Sequence, residues 1–245
     1  MSPRIGILVV AYNAESTLAS VLDRIPDAIA ARIAEVIVLD DASADATHAV
    51  GLAYARPALA GKVHVRRNPV NLMYGGNQKL GYRIAMEHDL DIVVLLHGDG
   101  QYAPEVMADL LAPLERGEAD LVMGSRMMVR GAARKGGMPL YKYIGNRILT
   151  TYQNLVAGTR LSEFHSGYRA YSVAALRAVP LDRLTDSWHF DTQIILELRA
   201  RGKRIVEVPI PTYYGDEICY VEGIPYAWNC VKTTTAHAWA MRRAR

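Results

Sequence analysis

Cysteine is nearly absent from this 245-residue sequence, which carries only Cys219 and Cys230. Two thiols make neither a disulfide framework nor the Cys-rich spacing of a structural zinc site, so a reducing cytoplasm is the expected compartment. Long apolar runs are missing as well, since nothing approaches the ~20 consecutive apolar residues that cross a bilayer. Met1-Ser2-Pro3-Arg4 leads straight into a short apolar segment, without the apolar region and small-residue cleavage site of a signal peptide. Any membrane contact is therefore expected to be peripheral. An excess of one charge is also lacking: the net charge is +3, and the basic residues are scattered until the Arg242-Arg243-Ala244-Arg245 tail. That pattern excludes a nucleic-acid-binding stripe. The turn after the first apolar run reads Ala-Tyr-Asn-Ala-Glu rather than G-x-G-x-x-G, and no G-x-x-x-x-G-K-[ST] occurs. A dinucleotide fingerprint and a P-loop are thereby set aside. There is no internal repeat and no low-complexity segment.

What is present is the composition of a globular chain with one core, 51% hydrophobic and 22% charged. Short β-rich runs at Ile5 to Ala11, Val36 to Leu39, Val63 to Arg66, Ile92 to Leu96 and Leu121 to Gly124 alternate with helical patterns. These runs are apolar on both faces, as strands covered by helices on both sides must be. The expectation is an α/β fold with a mostly parallel sheet. Leu18, Val21, Leu22 and Ile25 keep helical spacing, as do Val106, Leu110, Leu111 and Leu114 behind Pro104. Arg126 to Pro139 reads as a long functional loop. Helices are expected from Tyr141 to about Ala157 and from Phe190 to Arg201, and a last strand from Arg204 to Val208. Trp228, Val231 and Trp239 follow at helical spacing. The two tryptophans are expected to pack on the domain, although Trp beside a basic tail also marks an interfacial helix.

Ligands of open α/β sheets bind beyond the carboxyl ends of the strands. Here those ends read Ala11-Tyr12-Asn13-Ala14-Glu15, Asp40-Asp41-Ala42-Ser43 and His97-Gly98-Asp99-Gly100-Gln101. A second-strand Asp can accept from a base or a ribose hydroxyl, and Tyr12 can stack on a base. An acidic wall needs a cation to hold phosphates. Asp99 offers the hard oxygen that Mg²⁺ or Mn²⁺ prefers, and Gln101 a neutral carbonyl oxygen. Gly98 and Gly100 allow close approach of backbone and ligand. Asp40, Asp41 and Ser43 could equally form a turn and cap a helix. Asp191, in a first helical turn, is also explained by the helix dipole.

Together these segments resemble the inverting glycosyltransferases of family 2 with a GT-A fold, including the polyprenyl-phosphate sugar synthases. The resemblance covers roughly residues 4 to 212. It adds Asn71 to Gly81, Gly124-Ser125-Arg126, His165-Ser166-Gly167-Tyr168-Arg169 and Ile205 to Pro209. It implies a Rossmann-like mixed, mostly parallel sheet with helices on both faces. It also implies a GT-A domain over 1–212, with a nucleotide-sugar half at about 1–125 and an acceptor half at about 126–212. Residues 213–245 are then a helical, peripheral extension. A GDP- or UDP-sugar donor would be seated by Ala11, Tyr12, Asn13, Glu15, Asp40, Asp41, Gly76, Lys79, Gly98 and Asp99. The metal would be held by Asp99 and Gln101, with His97 standing where the family carries the first Asp of Asp-x-Asp. Imidazole attracts a hard dication less than a carboxylate does, though Mn²⁺ tolerates it.

The acceptor decides whether a base is needed. A hydroxyl must lose a proton as it attacks, whereas a phosphate monoester, with a second pKa of about 6, is already largely dianionic. Arg126, Arg130 and Lys142 are suitable cations for such an acceptor. The expected acceptor side is Ser125, Arg126, Lys142, Asn146, His165 and Ser166, with polyprenyl phosphate as the acceptor. One alternative is transfer to a hydroxyl of a glycan or small molecule, with Asp191 as catalytic base beside Asp99. The other is a non-catalytic nucleotide-sugar-binding subunit.

Overall fold

The structure, a computed structural model, describes residues 2–214 and 221–243. Cys219, Ala244, Arg245 and Met1 lie outside them. In chain order the elements are β1 (Ile5–Ala11), α1 (Leu18–Asp23), α2 (Asp27–Ala30), β2 (Glu35–Asp40), α3 (Thr47–Ala53), β3 (Val63–Arg67), α4 (Met73–Glu87) and β4 (Ile92–His97). There follow α5 (Met107–Glu115), β5 (Leu121–Ser125), α6 (Ala132–Lys135), α7 (Leu140–Ala157), β6 (Arg169–Ser172), α8 (Val173–Arg177), α9 (Phe190–Ala200), β7 (Ile205–Pro209) and α10 (Gly223–Arg243).

The strands form one seven-stranded sheet in the order β3-β2-β1-β4-β6-β5-β7. All pairs are parallel except those of β6, which runs antiparallel to both β4 and β5. Alternation along β1 builds both layers: Ile5, Ile7 and Val9 pack with Leu18, Leu22, Leu110 and Leu111, while Leu8 packs with Tyr82, Phe190 and Ile194. Each such side chain contributes roughly 1.5–3 kcal/mol by leaving water. The α4 layer lies so close to β1 that a Cβ on Gly81 would sit 2.2 Å from Leu8 Cδ2. Among the described residues no helix is long and apolar enough to cross a membrane.

Five points differ from expectation. Strand β6 was not foreseen, because Arg-Ala-Tyr-Ser has no apolar run; it is held by its neighbours on both sides. The loop Arg126 to Pro139 contains α6. The helical pattern of Leu18 to Ile25 ends at Asp23, and Pro104 opens a short 3-10 turn ahead of α5. Trp228 and Trp239 do not pack on the domain: they are 60% and 59% exposed.

Candidate active site

The parallel register sets the carboxyl ends of three neighbouring strands side by side, with Ala11 opposite Asp40 and Val10 opposite His97. The turn after β1 is laced to the turn after β2. Asn13, at φ +49°, donates its backbone N–H to Ser43 Oγ (2.9 Å) and accepts at Oδ1 from the Ala44 N–H (2.9 Å). Glu15 Oε2 accepts from the Ala46 N–H (2.9 Å). Asp40 is fully buried and accepts from the Ser43 N–H and hydroxyl, so its side chain closes the turn. Asp41 accepts from Asn68 Nδ2 and the Leu72 N–H, both at 2.8 Å, and burial raises its carboxyl above the ordinary value. Ala11 is buried beneath Gly98, and Tyr12, 41% exposed, faces the open side of this edge.

Gly76 and Lys79 point elsewhere. The Gly76 N–H donates to Asp186 O (3.2 Å). Lys79 is buried; its ammonium donates to Leu184 O (2.8 Å) and pairs with Asp186 (2.6 Å). Both hold the segment 184–186 against α4.

The turn that holds the candidate metal ligands is organised around the His97 ring. Tyr74 and Tyr102 meet it edge-on, with centroids 5.5 and 5.0 Å away. The backbone of Gly167 closes the remaining side, where a Cβ would lie 2.6 Å from His97 Cε1. Tyr74 donates its single hydroxyl proton to Asp191 Oδ2 (2.9 Å) while its oxygen sits 3.2 Å from His97 Nε2. Nε2 must therefore carry the imidazole proton, which leaves the Nδ1 lone pair free. That Nδ1 is 4.0 Å from Asp99 Oδ2. Two ligands of one dication, each about 2.1 Å from it, sit about 3–4 Å apart, so the pair fits a divalent metal. Desolvation holds the His97 pKa below its ordinary value, against the opposing pull of Asp99, and keeps the ring neutral as a ligand must be. Asp99 Oδ1 accepts from the Gln101 N–H (3.0 Å), a bond shaped by Gly100 at φ +78°. Among the described residues no cluster of three His, Cys, Asp or Glu occurs, so water or substrate oxygens would complete the shell.

A consequence is measurable. Tyr74→Phe keeps the ring stacked on Trp188 but removes the hydroxyl that fixes the His97 tautomer. Outer partners of this kind are worth about 10–100-fold in metal affinity. Calorimetric titration with Mn²⁺ should show that weakening, and unchanged affinity would mean His97 is not held through Tyr74.

Asp191 is buried and engaged. Besides Tyr74 it lies 3.3 Å from Arg169 Nη1, a guanidinium that also donates to Ser166 O and Phe164 O.

The acceptor candidates gather around a residue that sequence reading missed. Glu163, fully buried, accepts from the Arg126 N–H (2.8 Å), Arg126 Nε (3.1 Å) and Asn146 Nδ2 (2.8 Å). Arg126 also donates to Tyr214 Oη and His165 O, each at 3.2 Å. Lys142 Nζ stands 5.1 Å over the Tyr214 ring, and Arg130 is exposed. Ser125 bonds Ser162, whose N–H and hydroxyl reach the Glu207 carboxylate at 2.7 Å. His165 meets Tyr226 Oη through Nδ1 (2.8 Å), and its buried Nε2 has no hydrogen-bond partner. Burial lowers its pKa to about 4. Ser166 is buried, its Oγ accepting from the Tyr168 N–H (3.4 Å). Glu163 had one signal in the sequence: it is the first acid after Asp120, at the end of a stretch holding seven Lys and Arg. Tyr102, Tyr214 and Tyr226 carried no comparable mark.

The profile of glycosyl transferase family 2 matches residues 6–179. An undecaprenyl-phosphate mannosyltransferase of Micrococcus luteus is 32% identical over 84% of this chain and 82% of its own length. A polyprenol monophosphomannose synthase of Mycolicibacterium smegmatis is 30% identical over 83% and 75%. Among solved structures, glucosyl-3-phosphoglycerate synthase of Mycobacterium tuberculosis with Mg²⁺ and UDP superposes with TM-score 0.72 at 22% identity, over 97% of this chain and 80% of that one. That likeness gives the GT-A fold, and the two strand ends and the His97 turn fall inside the matched profile. On the span of that match and the identity of its relatives, the chain belongs to glycosyl transferase family 2.

Proposed function

We propose that this chain is an inverting, metal-dependent glycosyltransferase that moves a sugar from a GDP- or UDP-sugar to a phosphate-bearing acceptor of the polyprenyl phosphate class. One observation carries the choice of acceptor: Asp191, the candidate base, already accepts from Tyr74 and pairs with Arg169. A general base must reach the proton it takes, and Asp191 is already committed. A dianionic phosphate needs no base, only donors and positive charge. Lys142 supplies positive charge at the acceptor wall, while Arg126 and Asn146, both bonded to Glu163, hold it in shape. The polyprenyl-phosphate acceptors of the relatives at 32% and 30% identity, as their names give them, support the same reading.

In this reading residues 1–125 form the donor half and 126–212 the acceptor half. Tyr12 covers the base, Asp41 faces the nucleoside, and Asn13, Glu15 and Asp40 fix the shape of that pocket. A divalent cation held by Asp99 and His97, with Gln101 beside them, would neutralise charge on the leaving nucleoside diphosphate. Gly98 keeps the metal turn close over Ala11. The rigid box around His97 holds its lone pair toward Asp99, and Tyr74 and Arg169 hold Asp191 out of the reaction.

Calorimetric screening of GDP- and UDP-sugars with Mn²⁺, followed by transfer to a short prenyl phosphate, tests the proposal. Transfer to the phosphate with a flat pH profile above about pH 7 is expected. Transfer to a hydroxyl acceptor, lost in Asp191→Asn, would establish the second reading instead. Donor binding with neither transfer nor hydrolysis would make the chain a binding subunit.

A further inference from the structure

Helix α7 is built inside out. Its inner side buries Leu149, Thr150 and Gln153 and turns Asn146 to Glu163, while Leu140, Tyr141, Ile144, Ile148 and Leu155 are 47–80% exposed. At 100° per residue those five fall within a single arc of about 100°. A helix folded only to satisfy water would show the opposite face. Helix α10 packs beside α7 and repeats the pattern, exposing Ile224 (87%), Trp228 (60%) and Trp239 (59%). The Tyr152–Thr235 hydrogen bond at the seam (2.6 Å) is itself exposed, so the two outer faces adjoin.

The charge around this face has one sign. On the helices themselves α7 carries Lys142 and Arg147, and α10 carries Lys232, Arg242 and Arg243, with no Asp or Glu in either, although the whole chain carries only +3. The cations lie along the aromatic rings: Lys232 Nζ is 5.7 Å over Trp228, Arg243 5.6 Å over Trp239 and Arg147 6.0 Å over Tyr143. An aromatic and aliphatic face with basic stems lying along it suits the headgroup boundary of an anionic bilayer, where rings enter and cations remain at phosphate level.

We propose that the outer faces of α7 and α10 form one docking surface that lays this chain on an anionic lipid bilayer. The inner side of α7 carries Asn146 and Lys142, so docking would bring the acceptor wall to the depth of lipid phosphates. The inference stands on surface chemistry and does not require the proposed reaction.

The test uses the purified full chain and sedimentation with vesicles that contain no prenyl phosphate. Binding to phosphatidylcholine–phosphatidylglycerol vesicles is expected to exceed binding to phosphatidylcholine alone by about tenfold and to fall with salt. Trp228→Ser with Trp239→Ser, and separately Ile148→Ser with Leu155→Ser, should each reduce it about tenfold or more. Their thermal midpoints and nucleotide binding should remain those of the parent. Two variant pairs on different helices keep the test open should one fail to fold. No binding to anionic vesicles, or binding indifferent to both pairs, overturns the proposal. So does a dimer in sedimentation velocity that the Trp pair abolishes, which would make a second copy the occupant. Because no sugar or acceptor is involved, failure here leaves the proposed transfer untouched, and failure of transfer leaves this result standing.

Discussion

Asp99→Ala is expected to lower kcat/KM by about a hundredfold to a thousandfold and to remove the metal dependence of donor binding with it. The loss corresponds to roughly 3–4 kcal/mol of stabilisation of the leaving diphosphate. Asp99 carries this weight because His97 contributes a neutral nitrogen where a second carboxylate would contribute charge. Among the described residues no further acid completes a cluster of three there. The side chain is 44% exposed and accepts locally, from the Gln101 N–H. The variant should therefore fold normally. Titration of a nucleoside diphosphate with and without Mn²⁺, beside a transfer assay, reads both effects. A folded variant that keeps either the metal dependence or the turnover would remove Asp99 from the centre of the site.

The largest effect on stability is expected at Glu163. Glu163→Ala leaves the Arg126 guanidinium, 7% exposed, without its counter-charge, and orphans Asn146 Nδ2 as well. Removing one partner of a buried pair costs about 3–5 kcal/mol, which in a chain of this size lowers Tm by about 10 °C. Urea unfolding measures it, and a cost below about 1 kcal/mol would show that water compensates Arg126. Replacing both partners together, Arg126→Met with Glu163→Leu, should recover most of the loss, because two buried charges are removed from the balance. The pair also sets an acid limit. Burial alone would raise the Glu163 pKa, but Arg126 and its hydrogen bonds win and hold it below the ordinary 4.5. Its contribution is thus fully present above that value and is lost as pH falls through the lower value of the folded state.

Both predictions fall on the same fold, but they were not equally visible in the sequence. Strand β1 was legible residue for residue, since a run apolar at every position reports burial on both faces without reference to any partner. The helices α7 and α9 were legible to within a residue from their period. Strand β6 was not, because four residues with Arg and Tyr owe their extended form to β4 and β5 on either side. The turn after β4 was readable for a similar local reason: Gly98, Asp99, Gly100 and Gln101 stand in consecutive positions.

The sequence by itself determined the alternating α/β plan, the acids and amides at three strand ends, and the place of Asp99 in a glycine-flanked turn at one of them. Each of these is set by local composition or by a short motif, and none needs contacts from distant parts of the chain. Only the tertiary structure decided that Lys79 serves Asp186, that Asp40 closes its own turn, and that Glu163 neutralises Arg126. It also decided the proton position on His97, through Tyr74 and Asp191, residues 117 apart. A side chain's type states which bonds it can make. Which of them it does make depends on the groups that burial brings within about 3 Å and on the water it excludes.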